Sequence, residues 1–439
     1  MDPSKPRIVI VGAGSLLTLR LFRDFYRVGD LWGSELVLYD IDEERLKTVY
    51  AAIKEQIKRD NLDLKVSMTT SKVEALENSD FVIVAVRVGG LRATRAQIEI
   101  PFRYGAESIV GDSTGPSGIL KAITEIPAIL DLAWTLEDVS PNAMILNHTN
   151  PVTAICTAVH MASKIDIVGL CHGYPLTKFA SAMLDLEYES LRSTVAGINH
   201  LTWITEMTYK GQSIVEQLKE AVIEGRRWSI IENHPYVVGR QLIKTHGMLI
   251  SVTDRHSAEF FHFLPDWMND LKIGSILRRC SRVIDYEKRT LSEEYISRRR
   301  DAWKDITAIV RGLKRHGASE LFHLEIISSI VNDTRREFRV ANIPNRSYIQ
   351  GIKDGRIVEV PCIVDKNGLR GKRVGQLTRP VLAILNLHLE KSKVLAQGII
   401  EKDKGLILEA MGMDPTTPSP EKAEKILDEY LSIINPLRH

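Results

Sequence analysis

A chain of 439 residues, 44% hydrophobic and 26% charged, is too long for one ordinary core and has the make-up of a globular protein. Its 58 basic and 56 acidic side chains nearly cancel to a formal charge of +2, which gives no electrostatic reason to expect nucleic acid or an anionic membrane as a partner. The start, MDPSKPRIVIVGAG, carries no signal-type apolar core, and no run approaches the roughly 20 apolar residues of a membrane span. A cytoplasmic protein that handles a small molecule is therefore expected.

In chain order, RIVIVG (Arg7 to Gly12) reads as a strand and is followed by an amphipathic helix from Leu16 to Tyr26. ELVLYD (Glu35 to Asp40) is the next strand, followed by the helical pattern IDEERLKTVYAAIKEQIKR. FVIVAV (Phe81 to Val86), AMILN (Ala143 to Asn147) and IDIVGL (Ile165 to Leu170) are further continuous apolar runs, the kind buried on both faces. This alternation predicts an α/β fold, a Rossmann-like doubly wound parallel sheet over residues 1–195. Beyond it TWITEMTYKGQSI predicts an antiparallel hairpin and SEEYISRRRDAWKDITAIVRGLKR a long charged helix, so residues 196–439 are expected to form a second, α+β domain. No flexible linker divides the two, which predicts a rigidly organised cleft between them. Helices in the second domain favour a homodimer or homotetramer.

Gly12 and Gly14, with Ser15 after them, stand at the first strand-to-helix turn, where backbone amides and the helix dipole can meet a pyrophosphate. Leu17 occupies the place of the third glycine of the dinucleotide fingerprint, and a plain tight turn also explains a lone GxG. Asp40 ends the second strand at the interval expected for a carboxylate on the adenosine ribose hydroxyls, which selects NAD over NADP. Asp42 reads as a helix N-cap.

Polar groups cluster after successive strands, in GDSTGPSG (Gly111 to Gly118), NHTNP, LCHG, GINH and TDRHSAEF, and a parallel sheet gathers such segments at one rim. The four cysteines, Cys156, Cys171, Cys280 and Cys362, form no CxxC pair, so any metal site must be assembled from distant residues. Read alone, Cys171 is a small buried hydrophobe and His200 a satisfied interior histidine.

The motifs VGAGS, YDID, GDSTGPSG, NP at Asn150, CHG at Cys171, GINH at His200 and NIPNRSYIQGIKDGRIVEVP (Asn342 to Pro361) together resemble glycoside hydrolase family 4, the NAD- and metal-dependent glycosidases. The resemblance covers most of the chain in consistent order. It implies a fold related to the lactate and malate dehydrogenases, and a hydrolysis that begins with hydride removal from C3 of the sugar. The C3 ketone acidifies the C2 proton, a base takes it, the leaving group departs from C1, water adds, and the hydride returns. A divalent cation, usually Mn2+, would stabilise the enolate charge.

On the same resemblance Cys171 and His200 match the metal ligands, a weak and thiol-sensitive pair for manganese. His172 stands where phospho-sugar members carry Asn or Asp, which implies an unphosphorylated α-glycoside and a role in leaving-group protonation; a hydrogen bond to a nearby carbonyl explains it equally. Asn150, Asp112 and Asn199 are the expected substrate contacts, with turn roles as the alternatives for Asn150 and Asp112. Asp254 is the expected C2 base, with pairing to Arg255 as its plain alternative. His256 and Glu259 are placed on the same pocket wall, and Phe260 removes the phenolic base found at that position in other members. Ser117 replaces a family glycine in a loop near the substrate. Arg87, Arg92 and Arg95 follow the FVIVAV strand, and one of them facing the sugar would favour a carboxylate-bearing substrate. An α-glucoside, α-galactoside or α-glucuronide remains open. The rivals are a 2-hydroxy-acid dehydrogenase, which would leave Cys171 without a task, and a non-catalytic NAD-responsive regulator, which would not need Cys171 with His200.

Overall fold

The computed structural model describes residues 5–171, 175–225, 237–252, 254–263 and 322–434. Among them β1 (Arg7–Val11), β2 (Glu35–Tyr39), β3 (Lys65–Thr69), β4 (Phe81–Val84), β5 (Met144–Asn147) and β6 (Asp166–Gly169) lie parallel in the order β3-β2-β1-β4-β5-β6. That is the doubly wound dinucleotide-binding order. Each apolar run read as a strand supplies one of these, shortened by a residue or two. β3 has no counterpart in the sequence reading: KVSMT is an edge strand with Lys65 and Ser67 exposed, so it has no continuous apolar run to find.

Alternation along each strand feeds two cores. Ile8, Ile10, Leu36, Leu38, Ile83 and Leu146 face one way. Val9, Val11, Val37, Val82, Val84 and Ile145 face the other. The first face is covered by Phe22 and Phe25 of helix Leu16–Arg27 and by Leu46, Val49 and Ile53 of helix Glu43–Asp60. Asp42 caps the latter helix through the Arg45 amide at 3.1 Å, as its position in sequence predicts. The second face is covered by helices Gly115–Val139 and Val152–Ala162, and also by the C-terminal helices Arg379–Glu401, Lys404–Met413 and Pro420–Ile433 through Leu395, Met411 and Tyr430. Each such fully buried side chain contributes about 1.5–3 kcal/mol, so the far end of the chain is a substantial stabiliser of the first sheet.

β7 (Leu191–Ile198), β8 (Leu201–Tyr209), β9 (Gln212–Ser213), β10 (Arg336–Pro344), β11 (Ile357–Asp365) and β12 (Gly368–Gly371) are antiparallel and extend the same sheet. β6 is joined not by β7 but by β10, through Asn342 opposite Gly169, and β11 joins β7 through Glu359 opposite Gly197. The hairpin from NIPNRSYIQGIKDGRIVEVP is thus wedged between two strands that precede it in sequence. The sheet continues past residue 195, the boundary expected between domains: that residue lies inside β7, where the pairing with β8 shifts register between Thr194 and Val195. β8 and β9 form the expected hairpin, with Thr208 opposite Ser213. The expected charged helix at 292–315 lies outside the described residues. No helix of the described residues is long and apolar enough to cross a membrane.

Candidate active site

At the end of β1 the chain turns through Gly12 with φ +84°, and a Cβ there would lie 2.5 Å from the Ala85 carbonyl oxygen. The following helix opens with Ser15 as N-cap, but the Ser15 hydroxyl caps nothing and is buried without a hydrogen-bond partner. No acidic side chain occupies the first turn of this helix. The place is the crevice between β1 and β4, where the strand order reverses. Asp40, just past β2, accepts the Gly14 amide at 2.7 Å and the Asp42 amide at 2.9 Å. An orphan hydroxyl at an uncompensated helix N-terminus, with a carboxylate beside it, fits a dinucleotide pyrophosphate and ribose. Leu17, in the third glycine's place, packs on the core instead. Arg87 and Arg92 are exposed, and Arg95 pairs with Glu99 at 3.0 Å.

Further along the same rim, two remote segments converge. Cys171 follows β6, and Asn199 and His200 are the two residues turning β7 into β8. His200 has φ +66°, a conformation that costs a non-glycine residue about 1–3 kcal/mol and clusters at functional sites. The turn closes tightly because Gly197 has no side chain; a Cβ there would lie 2.1 Å from the Leu201 carbonyl oxygen. The outcome is a Cys171 Sγ to His200 Nε2 separation of 3.4 Å.

On its other nitrogen, His200 Nδ1 lies 2.6 Å from Ser113 Oγ, and Ser113 donates to Asp112 Oδ1 at 2.9 Å. Since the Ser113 proton goes to Asp112, the hydroxyl oxygen accepts from His200 Nδ1–H. That relay orients the ring so that Nε2 faces Cys171. Asn150 donates to Asp112 Oδ2 at 3.3 Å. Asp112, His200 and His256 each bring one ligand atom within 4.8 Å of the others, and the rings of His200 and His256 are 4.2 Å apart. His200 therefore sits between Cys171 on one side and Asp112 with His256 on the other.

The charges of the cluster act on one another. Burial alone would push the His200 ring down, but the Cys171 sulfur, Asp112 and Glu359 outweigh burial and raise it to about 9. For Asp112 burial opposes ionisation, and His200, Lys121 and His256 overcome it and hold the carboxyl below its usual value. Glu359 lies beneath, accepting the side-chain amides of Asn199 at 3.1 Å and Asn342 at 2.8 Å. The side-chain carbonyl oxygens of Asn150 and Asn199 are buried without a partner. A thiol against one nitrogen of His200 and a carboxylate near the other, with two orphan amide oxygens nearby, suit a divalent ion and a polyhydroxylated ligand.

The segment 254–260 behaves differently from expectation. Both oxygens of Asp254 accept amides at the start of helix Val237–His246, from Val238 at 3.1 Å and Gly239 at 3.0 Å, so the carboxylate serves as a helix anchor. The side chain of this segment that reaches His200 is His256. Glu259 does not line a pocket wall: it is buried and grips the backbone amides of Val110 and Gly111. Burial, with Asp112 next, pushes its carboxyl up to about 7 against those hydrogen bonds. Ser117 is buried in the first turn of helix Gly115–Val139, its hydroxyl 3.2 Å from that of Ser108, and is part of no loop. His172 lies outside the described residues. Sequence reasoning missed Ser113, Asn342 and Glu359; the signal was present for the last, an acid between Val358 and Val360 in the middle of an apolar strand that meets its next acid only at its end, Asp365.

Residues 7–184 match the model of the Family 4 glycosyl hydrolase, and residues 195–417 match that of the Family 4 glycosyl hydrolase C-terminal domain. The chain is 26% identical over 443 residues to an alpha-galactosidase of Bacillus subtilis strain 168, covering 98% of this chain and 97% of that one. It is 28% identical to an alpha-galacturonidase of Thermoanaerobacter italicus, covering 93% and 91%. Among solved structures it is similar to a 6-phospho-alpha-glucosidase from gut microorganisms in complex with NAD and Mn2+, with a TM-score of 0.80, 22% identity and 98% of each chain covered. A lactate dehydrogenase from Eimeria maxima shares the fold more loosely, with a TM-score of 0.53, 16% identity, and 91% of this chain and 98% of that one covered.

Proposed function

Since this chain belongs to family 4 of the glycosyl hydrolases, we propose that it is an NAD- and divalent-metal-dependent glycosidase cleaving unphosphorylated α-glycosides, with a glucoside, galactoside or hexuronide as substrate. The observation that carries this reading is the 3.4 Å approach of Cys171 Sγ to His200 Nε2 at the rim that also holds the dinucleotide turn. Neither a hydroxy-acid dehydrogenase nor a nucleotide-responsive regulator has a use for that pair. Relatives named alpha-galactosidase and alpha-galacturonidase support the substrate class.

Gly12, Gly14, Ser15 and Asp40 would hold the NAD, which would supply a reversible hydride acceptor next to the sugar. Cys171 and His200 would hold the metal, whose positive charge would offset enolate charge, with Asp112 held against the far side of His200 through Ser113. The chain's own residues do the rest. Ser113 keeps His200 Nδ1 protonated and so turns Nε2 to the ion. The unpartnered oxygens of Asn150 and Asn199 accept sugar hydroxyls, and Asn150 also steadies Asp112. With Asp254 occupied by two backbone amides, proton transfer from C2 falls to His256. His172 protonates the leaving group. We infer that the enzyme works in the cytoplasm as a homodimer or homotetramer.

A panel of α- and β-linked hexosides and hexuronides, assayed with NAD and Mn2+, tests this. Cleavage of an α-linked member that stops on removal of either cofactor is expected, and cleavage persisting in excess chelator without NAD overturns it.

A further inference from the structure

The segment that carries Asp112 and Ser113 is anchored at both ends by buried acids from far downstream. On its N-terminal side the amides of Val110 and Gly111 both donate to Glu259 Oε1, the latter at 2.8 Å. On its C-terminal side Asp414 Oδ2 accepts the Gly115 amide at 3.0 Å and the Thr114 hydroxyl at 3.2 Å. Asp414 is in turn paired with Lys391 at 2.6 Å, and both are nearly inaccessible, 3% and 4% exposed.

Every proton of the Lys391 ammonium has an acceptor. One goes to Asp414, one to the Thr114 hydroxyl and one to His388 Nδ1 at 3.0 Å. The other nitrogen of His388 donates to the Phe260 carbonyl oxygen at 2.9 Å, which fixes the tautomer that leaves Nδ1 free to accept. Burial, then the charge of Lys391, pushes this ring down to about 3, so it is neutral as the network requires. The network therefore joins helix Arg379–Glu401, the residue after helix Lys404–Met413, the turn at 258–260 and the start of helix Gly115–Val139. A buried ion pair of this kind is seldom more stabilising than well-packed apolar side chains. What it supplies is direction: it fixes the Thr114 hydroxyl and the Gly115 amide immediately after Ser113.

We propose that Glu259 and the Lys391–Asp414 pair are positioning residues whose double anchorage of residues 110–115 sets Asp112 and Ser113 against His200, and so sets the metal affinity of the site. This rests on the metal reading above. None of the three is a ligand; they act through the backbone and through Thr114.

The test is a Mn2+ titration of the full chain, following free Mn2+ by electron paramagnetic resonance, with NAD binding by calorimetry and thermal unfolding alongside. Thr114→Val removes one hydroxyl from the network, and Glu259→Leu removes the acceptor of two amides. Both are expected to weaken Mn2+ binding by about 10–100-fold, as loss of an outer partner of a ligand does, with NAD binding unchanged. Glu259→Gln keeps an acceptor oxygen and is expected to stay near wild type. Variants that lose only thermal stability while binding Mn2+ as wild type does would make the network purely structural and overturn the proposal. So would Glu259→Gln losing as much as Glu259→Leu. A wild-type chain that takes up no Mn2+ overturns the metal reading instead.

Discussion

Cys171 Sγ and His200 Nε2 are 3.4 Å apart although they close two different parts of the sheet, the last parallel strand and the first antiparallel hairpin. Cys171→Ser replaces a thiolate donor with a poorer ligand while leaving the dinucleotide turn untouched. Its Mn2+ affinity should fall by more than the roughly 10–100-fold typical of an outer-partner loss, with hydrolysis all but abolished and NAD binding retained. Titrating both cofactors into the variant checks this, and equal loss of the two would mark a folding defect.

Metal affinity should depend on pH with a definite sign. His200 is raised to about 9, so below that pH the ring holds a proton that an incoming ion must displace. Apparent affinity for Mn2+ should therefore climb by about tenfold per pH unit from neutrality and level off above about 9. Titrations in buffers of different pH at constant ionic strength read the slope, and a flat profile would remove the proton from between sulfur and nitrogen.

Proton removal from C2 leaves an isotopic mark. Turnover in heavy water should place deuterium at C2 of the released sugar, because the abstracted proton exchanges with solvent. Proton NMR of the product decides it, and protium retained there would mean direct displacement.

Asp254 and His256 separate anchoring from chemistry. Asp254→Asn keeps one acceptor oxygen and loses one of two hydrogen bonds to the helix start, so about 1 kcal/mol of stability should go while most activity stays. His256→Gln should leave the melting temperature nearly unchanged and lower kcat by about 10²–10⁴-fold. The reverse pattern would return proton abstraction to Asp254.

The parallel half of the sheet was legible because buried strands announce themselves as apolar runs, and Gly12, Gly14 and Asp40 because a turn and a carboxylate at fixed spacing need no tertiary context. Cys171 and His200 were legible through the family motifs alone, since neither residue type signals ligation by itself. What stayed hidden in the sequence had a common cause. The role of Asp254 depends on where the start of helix Val237–His246 lies, that of Glu259 on the amides of Val110 and Gly111, and that of Glu359 on a strand pairing with Gly197. Such pairings are set by packing between segments far apart in sequence, which local patterning does not encode. The insertion of β10 and β11 between β6 and β7 was hidden for the same reason.

That insertion bears on how the protein comes into being on the ribosome. The distance between the sulfur and the imidazole is maintained by a hairpin translated long after both. A nascent chain that has not yet reached Arg336 already contains the glycine turn, Asp40, Cys171 and His200, but lacks the two strands that space β6 from β7. The nucleotide-side sheet also waits, since its second face is closed by helices that come later still, so neither half of the cleft is finished until the hairpin and the C-terminal helices have been added.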